Sequence, residues 1–314
     1  MSKTIAITGG SGFIGKRLVS RHLELGHRVR VLSRRNHSDE QPTNLEWYRS
    51  DLSNPDNRAL ERFVEGADIL YHCAGEISDE STMDATNRAG TDRLAMIAAG
   101  HIGRWVQLST AGVYGYPDSG TITENSSPAP CNTYERSKLA ADHAVLGISE
   151  AKGMPWSILR PTIVFGHDMP NNSIRALLRA IQSRRFFYIG PTGALLPYIH
   201  VDDVVQGLML CGHEQNALYQ TFNLSENILL EEFVGLVADE LGCPPPAIRL
   251  PGPLIRMCTG LLQHVPGFPL TISRIDALTR RVIYPSVRIV ETLGYSPLVG
   301  WREGVRSMAR TLNG

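Results

Sequence analysis

The residues best equipped for chemistry lie together at Tyr134-Glu135-Arg136-Ser137-Lys138. On a helix, positions four apart share a face, so Tyr134 and Lys138 would present a phenol and an ammonium side by side. A tyrosine in water ionises near pH 10. A neighbouring ammonium and a second bound positive charge both favour the phenolate. Bringing the phenol to about 7 takes roughly 3 pH units, or about 4 kcal/mol of differential stabilisation. Such a group would take the proton from a substrate hydroxyl as a hydride leaves, or return it in reverse. The spacing by itself also describes an ordinary surface helix.

A second set of hydroxyls narrows the choice. The apolar run Trp105–Ser109 reads as a strand and leads into Thr110-Ala111-Gly112-Val113-Tyr114-Gly115. A hydroxyl at the carboxyl end of a strand, from Ser109 or Thr110, could orient and polarise a substrate oxygen. Either residue could equally bond only to local backbone.

The hydride implies a carrier, and the N-terminus supplies a place for one. Ile5-Ala6-Ile7-Thr8 reads as a strand, followed by Gly9-Gly10-Ser11-Gly12-Phe13-Ile14-Gly15 and a helical pattern from Phe13 to Leu25. Glycines Gly9, Gly12 and Gly15 let the backbone turn tightly and approach a pyrophosphate without a Cβ in the way. The helix start, with Phe13 and Ile14, aims free N–H groups and a positive dipole end at the phosphates. The strand before and the helix after make this a dinucleotide signature rather than a stray glycine match. The second strand ends at Ser33-Arg34-Arg35, with no carboxylate before Asp39. A guanidinium there suits a 2′-phosphate, so NADP(H) is favoured over NAD(H). If Arg34 and Arg35 are merely solvated, either cofactor binds.

The elements that must position these groups alternate through the first half. Strand-like runs at Thr4–Thr8, Arg28–Ser33, Leu45–Ser50, Asp68–Cys73, Arg104–Ser109 and Pro155–Arg160 interleave with helical stretches at Phe13–Leu25, Pro55–Val64, Asp84–Gly100 and Thr133–Lys152. That order predicts an α/β fold, with βαβ units and a parallel sheet covered on both faces. After Pro161 prolines and glycines recur and helical segments dominate. A smaller, mainly helical C-terminal substrate lobe is expected at the carboxyl end of the sheet. Val201–Leu210 and Tyr219–Leu224 read as a helix and strand returning to it. We therefore expect a dinucleotide domain at residues 1–163 plus about 198–225, and a substrate lobe at about 164–197 plus 226–314.

Composition removes other classes. Lys plus Arg and Asp plus Glu number 31 each, so no net charge favours nucleic acid or an anionic membrane. Pairs such as Arg34-Arg35, Arg184-Arg185 and Arg280-Arg281 read as solvated. Five cysteines without paired spacing suit a reduced cytoplasmic protein. The first strand begins by Thr4, which leaves no room for a targeting signal, and no apolar run approaches a membrane span. The histidines are scattered along the chain without a Cys/His motif, so no metal site is expected.

Several ordered motifs together resemble one family over nearly the whole length: the extended short-chain dehydrogenases/reductases, or NAD-dependent epimerase/dehydratase family. They are TGGSGFIG (8–15), Asp51-Leu52, His72-Cys73-Ala74-Gly75, Asn87-Arg88-Ala89-Gly90-Thr91, LSTAGVYG (108–115), Glu124 with Pro128, YERSK (134–138), Arg160-Pro161 and YIHVDDVV (198–205). The resemblance implies a Rossmann-type doubly wound parallel sheet, with Tyr134 as acid/base, Lys138 as its partner and Thr110 as the catalytic hydroxyl. It also implies that Asp51 and Leu52 contact the adenine, that Cys73, Ala74 and Gly75 line the cofactor, and that the backbone after Pro161, with Ile163, holds the carboxamide. Asn87 would brace the sheet, and Asp202 and Asp203 would organise the lobe junction. Relatives commonly dimerise through the helices that here span about 84–100 and 133–152, so a homodimer is expected.

The substrate is the least legible part. Relatives acting on nucleotide-diphosphate sugars commonly carry an arginine where Leu196 stands, and an asparagine where Ile163 follows Arg160-Pro161-Thr162. A buried diphosphate would then need Arg175, Arg179, Arg184 or Arg185. The apolar set Leu254, Met257, Leu261, Leu262, Phe268 and Leu270 reads as core more than pocket. These points lean toward an NADPH-linked reductase of a small or apolar carbonyl compound. A nucleotide-sugar epimerase or dehydratase is the alternative, and a non-catalytic dinucleotide-binding protein the third reading.

Overall fold

A computed structural model describes residues 2–35, 42–262 and 270–312. Seven strands form one parallel sheet in the order Gln220–Leu224, Trp156–Pro161, Trp105–Leu108, Ile69–His72, Thr4–Thr8, Arg28–Ser33, Leu45–Arg49. Alternation along each strand explains its two faces. Ile5 and Ile7 enter one core with Leu18 of helix Gly15–Glu24 and Val204 and Leu208 of helix Val201–His213. Ala6, between them, enters the other with Phe63, Leu94 and Val145. The sheet is therefore doubly wound, as expected of an α/β chain whose strands are apolar throughout.

Three local departures have physical causes. The first helix begins at Gly15 rather than Phe13, because Gly9–Ile14 stay in the turn that Gly12 N–H closes on the Gly9 carbonyl at 2.9 Å. The expected single helix over 84–100 is instead Glu80–Met83, a π-helical turn Asp84–Ala89 and an α-helix Gly90–Ala98. That wider turn carries Asn87 toward the site, and Gly90 lies so close to Leu52 that a Cβ would sit 2.7 Å from its carbonyl oxygen. Outside the central sheet the chain holds more strand than expected. Glu226–Leu229, Leu195–His200 and Ile163–Phe165 form a three-stranded sheet, Tyr188–Ile189 pairs with Arg249–Leu250, and Ser119–Thr121 pairs with Arg281–Ile283. Helices Ser173–Gln182, Leu230–Glu240 and Gly300–Arg310 pack around the second lobe's core of Phe165, Tyr198 and Phe233.

The apolar set expected as core is corrected. Leu254, Met257 and Leu261 are 48%, 62% and 77% exposed on helix Gly252–Leu262, while Thr259 on its opposite side is buried. Arg256 fastens the helix to Asp276, which turns the apolar stripe outward. Leu270 is partly buried; Phe268 and the Leu262 side chain lie outside the described residues. Among the described residues no helix is long and apolar enough to cross a membrane.

Candidate active site

Two cavities open at the carboxyl ends of the strands. The first, of about 220 Å³, is lined by Gly9, Gly12, Ser33, Arg34, Asp51, Leu52, Cys73, Ala74 and Gly75, all expected from the sequence. Thr8, Ser11, Leu32, Ser50, Glu76 and Thr86 complete it. Gly9 has φ +68°, and a Cβ there would lie 2.7 Å from the Ala74 nitrogen. A Cβ on Gly15 would collide with the Gly9 carbonyl. These glycines let the loop pack tightly on itself and on Ala74, Ser11 adds a hydroxyl to the cavity, and Gly15, expected at the cofactor, lies behind the loop and does not line it. Behind it, Thr8 Oγ1 accepts from Ala74 N–H (3.1 Å) and pairs with His72 Nδ1 (2.8 Å), while His72 Nε2 pairs with Thr91 Oγ1 (2.8 Å). Burial, then the Lys138 charge, pushes His72 down to about 3, so the ring stays neutral. Nothing in local spacing announces this Thr8–His72–Thr91 relay, because its members come from three separate elements.

Other expected cofactor residues lie elsewhere. Phe13 packs toward the second-lobe core and carries the Arg17 guanidinium 5.0 Å from its ring; Ile14 packs into the sheet core. Pro161 is buried at its strand end, and Ile163 lines the second cavity instead of the first. The short strand Ile163–Phe165 pairs with Leu195–His200 and so turns Ile163 toward the other lobe.

The helix Thr133–Lys152 positions the reactive groups. Asn132 caps it by accepting from Glu135 N–H at 2.9 Å. Lys138 is buried and donates from Nζ to the Leu108 carbonyl at 2.7 Å. A Cβ on Gly75 would be 3.9 Å from that Nζ, so the ammonium meets the lining of the nucleotide cavity. Asn87 Nδ2 donates to Ser137 Oγ, which donates to the Tyr134 carbonyl, bracing the same turn.

The expected electrostatics of Tyr134 is reversed at this stage. Its phenol is pushed up to about 12, first by burial and then by the carboxylates Asp142 and Glu135. Lys138 is itself held below the usual lysine range by burial. The fold by itself therefore keeps the Tyr134 phenol protonated.

The geometry gives Ser109 and Thr110, which spacing alone does not separate, different partners. Ser109 Oγ donates to Asp142 Oδ2 at 2.8 Å, and Arg160 donates to the same oxygen from Nε (3.2 Å) and Nη2 (2.9 Å). Arg160 Nη1 reaches the Tyr114 hydroxyl at 2.8 Å. Ser109 is thus committed to a buried ion pair. Thr110 Oγ1 accepts from Gly112 N–H at 3.1 Å, keeps its own proton to give, and lines the second cavity.

That cavity, of about 200 Å³, is walled by Ala111, Ile163, Leu195, Leu196, Pro197 and Val282, with Tyr116, Thr162, Tyr198 and Tyr284 adding hydroxyls. Tyr134 is among the lining residues of neither cavity. Arg280 corrects a sequence expectation: it is no solvated residue but lines this cavity, its guanidinium 4.8 Å from the Tyr116 ring centroid. Its Nε is buried without a hydrogen-bond partner, and Asp276 stands 3.8 Å away. None of Arg175, Arg179, Arg184 and Arg185 lines the cavity. The lining residues include no carboxylate. His213, far along the chain, converges in space with His22 and His27.

Comparison with known proteins identifies the family. The sequence model of the NAD dependent epimerase/dehydratase family matches residues 5–225. The chain is 29% identical over 320 residues to a dTDP-6-deoxy-L-talose 4-dehydrogenase (NAD(P)(+)) of Kitasatospora kifunensis, covering 97% of this chain and 94% of that one. It is 31% identical to a UDP-glucose 4-epimerase of Streptomyces lividans, covering 80% and 85%. In structure it resembles the UDP-glucose 4-epimerase of Thermotoga maritima solved with UDP-glucose, with a TM-score of 0.75 at 20% identity and coverage of 99% and 98%. The chain is an NAD(P)-dependent enzyme and belongs to the NAD-dependent epimerase/dehydratase family.

Proposed function

We propose that the protein is a net oxidoreductase, interconverting a secondary alcohol and a ketone with NADP(H) preferred over NAD(H). The observation that carries this reading is the cavity beside Thr110, whose walls are apolar and free of carboxylates. Eliminating water from an oxidised sugar needs a base for a carbon acid and an acid for the leaving hydroxyl. The cavity has no carboxylate to serve as that base, its polar groups being hydroxyls and one guanidinium, whereas hydride transfer needs only a polarised oxygen and one exchangeable proton. Arg34 in the nucleotide cleft supports the 2′-phosphate.

In the reductive direction Thr110 Oγ1 donates to the ketone oxygen and holds its carbon toward the nicotinamide face. Tyr134 gives its phenolic proton to that oxygen. Lys138, fixed by Leu108, restores charge balance when the phenolate forms and holds the ribose side of the cleft. The bound nicotinamide supplies or takes the hydride.

Arg280 favours a second reading of the substrate, as a nucleotide-diphosphate sugar acted on at a ring carbon. It is the one cation among the lining residues of an otherwise apolar cavity, and both named dehydrogenase and epimerase relatives act on such sugars by their names. NADPH absorbance followed with apolar ketones and with nucleotide-linked keto-sugars tests both readings. Stoichiometric oxidation supports net reduction. Sugar interconversion without absorbance change identifies an epimerase and overturns it. An Arg280→Met variant should raise KM about tenfold for an anionic substrate and leave an apolar ketone unaffected.

A further inference from the structure

At the amino ends of the strands, opposite both cavities, three histidines meet. His22 lies in the last turn of helix Gly15–Glu24, His27 precedes strand Arg28–Ser33, and His213 ends helix Val201–His213. One potential ligand nitrogen from each lies within 4.8 Å of the others. The ring centroids are 5.5 Å (His22–His27), 5.7 Å (His22–His213) and 6.0 Å (His27–His213) apart.

The surroundings of these rings are incomplete. His22 is fully buried, yet neither of its ring nitrogens has a hydrogen-bond partner. His213 Nε2 and the hydroxyl of Tyr71, whose ring lies 5.1 Å from that of His22, are also buried and unpaired. Each such orphan costs about 1–3 kcal/mol. The two lone pairs that are engaged both turn to one residue. The Lys3 backbone N–H donates to His27 Nδ1 at 3.1 Å, and the Lys3 ammonium donates to His213 Nδ1 at 3.3 Å. A cation thus already stands at the edge of a nest of three imidazoles, bonded to one of them, His213.

We propose that His22, His27 and His213 bind a divalent first-row transition ion of the Zn²⁺ type, in place of the Lys3 ammonium. An all-imidazole ligand set suits Zn²⁺, Ni²⁺ or Cu²⁺ and not Mg²⁺ or Ca²⁺. Tetrahedral bonds of about 2.0–2.1 Å place ligand nitrogens about 3.3 Å apart, so loading draws the rings together and replaces their contacts with Lys3. The site joins the end of the helix behind the glycine loop to the end of the helix on the same sheet face. Its role is to clamp two elements, away from the reacting groups.

The test is titration of untagged, chelator-stripped full-length protein with Co²⁺, read by its visible ligand-field band, and with Zn²⁺, read by calorimetry. One ion per chain is expected, with a raised melting temperature in Zn²⁺. His213→Gln, at the rim of the cluster, should weaken binding about 100-fold while cofactor affinity is retained. Lys3→Met should tighten binding about tenfold, because it removes the competing cation. Absence of a stoichiometric Co²⁺ band, or equal affinity in His213→Gln, overturns the site. A Lys3→Met protein that binds no tighter overturns the displacement of Lys3.

Discussion

The nucleotide cleft and the substrate cavity sit at the same end of one sheet but are made by different means. The cleft is contributed by residues 8–86 in short runs that follow consecutive strands, and its decisive feature is the absence of side chains at Gly9 and Gly12, with Gly15 packed behind the loop against Gly9. The cavity collects residues from 110–116, 162–163, 195–198 and 277–284, and its decisive features are side chains. A backbone-built site is constrained locally, because each glycine answers to a neighbour already fixed by the strand order. A side-chain-built site can change its walls without disturbing the sheet. The difference teaches why one family retains one cofactor class while its relatives differ in substrate.

That contrast can be broken most forcefully at the catalytic helix. Tyr134→Phe should lower kcat about 1000-fold with cofactor affinity unchanged; near-normal turnover would remove Tyr134 from the proton path. At the backbone-built site, Gly9→Ala should weaken cofactor binding about 100-fold, since φ +68° and the approach of Ala74 both oppose a Cβ. Fluorescence titration measures this, and a value within threefold of the parent would refute the backbone argument. Arg34→Ala should cost NADP(H) about tenfold or somewhat more and NAD(H) almost nothing. Equal losses for both would sink the phosphate assignment.

The gentlest probe is pH. His72 is pushed down to about 3 in the fold, against a usual value near 6.5. The unfolded chain therefore binds the extra proton first. The stability from the neutral ring is complete above about 6.5 and drains away between 6.5 and about 3, by at most about 1.4 kcal/mol per pH unit. No histidine lines the substrate cavity. Acidification should consequently loosen cofactor affinity and melting temperature together, and a melting temperature flat from pH 7 to 4 would contradict this.

What was legible in the sequence follows the same division. Strands Thr4–Thr8 and Arg28–Ser33 and helix Thr133–Lys152 agree residue for residue with their periodicity, because buried strands and a capped helix leave local signals. The glycine loop and Arg34 were readable for the same reason. The family resemblance points to Thr110, but spacing alone does not separate it from Ser109; Asp142 and Arg160, from other elements, claim Ser109. Arg280 looked solvated because its partners Tyr116 and Asp276 include one from far along the chain. Leu254, Met257 and Leu261 looked like core because a hydrophobic stripe does not say which side of a helix meets the protein. The histidine cluster escaped notice because its spacing exists only after folding.

The pairing of Ser119–Thr121 with Arg281–Ile283 gives the chain an order of assembly. By the time Leu224 leaves the ribosome, every strand of the central sheet has been made and the cofactor loop can close on its neighbours. The wall that carries Arg280, Val282 and Tyr284 has not yet been synthesised. Biosynthesis thus completes the nucleotide cleft first, and the substrate cavity takes its walls last.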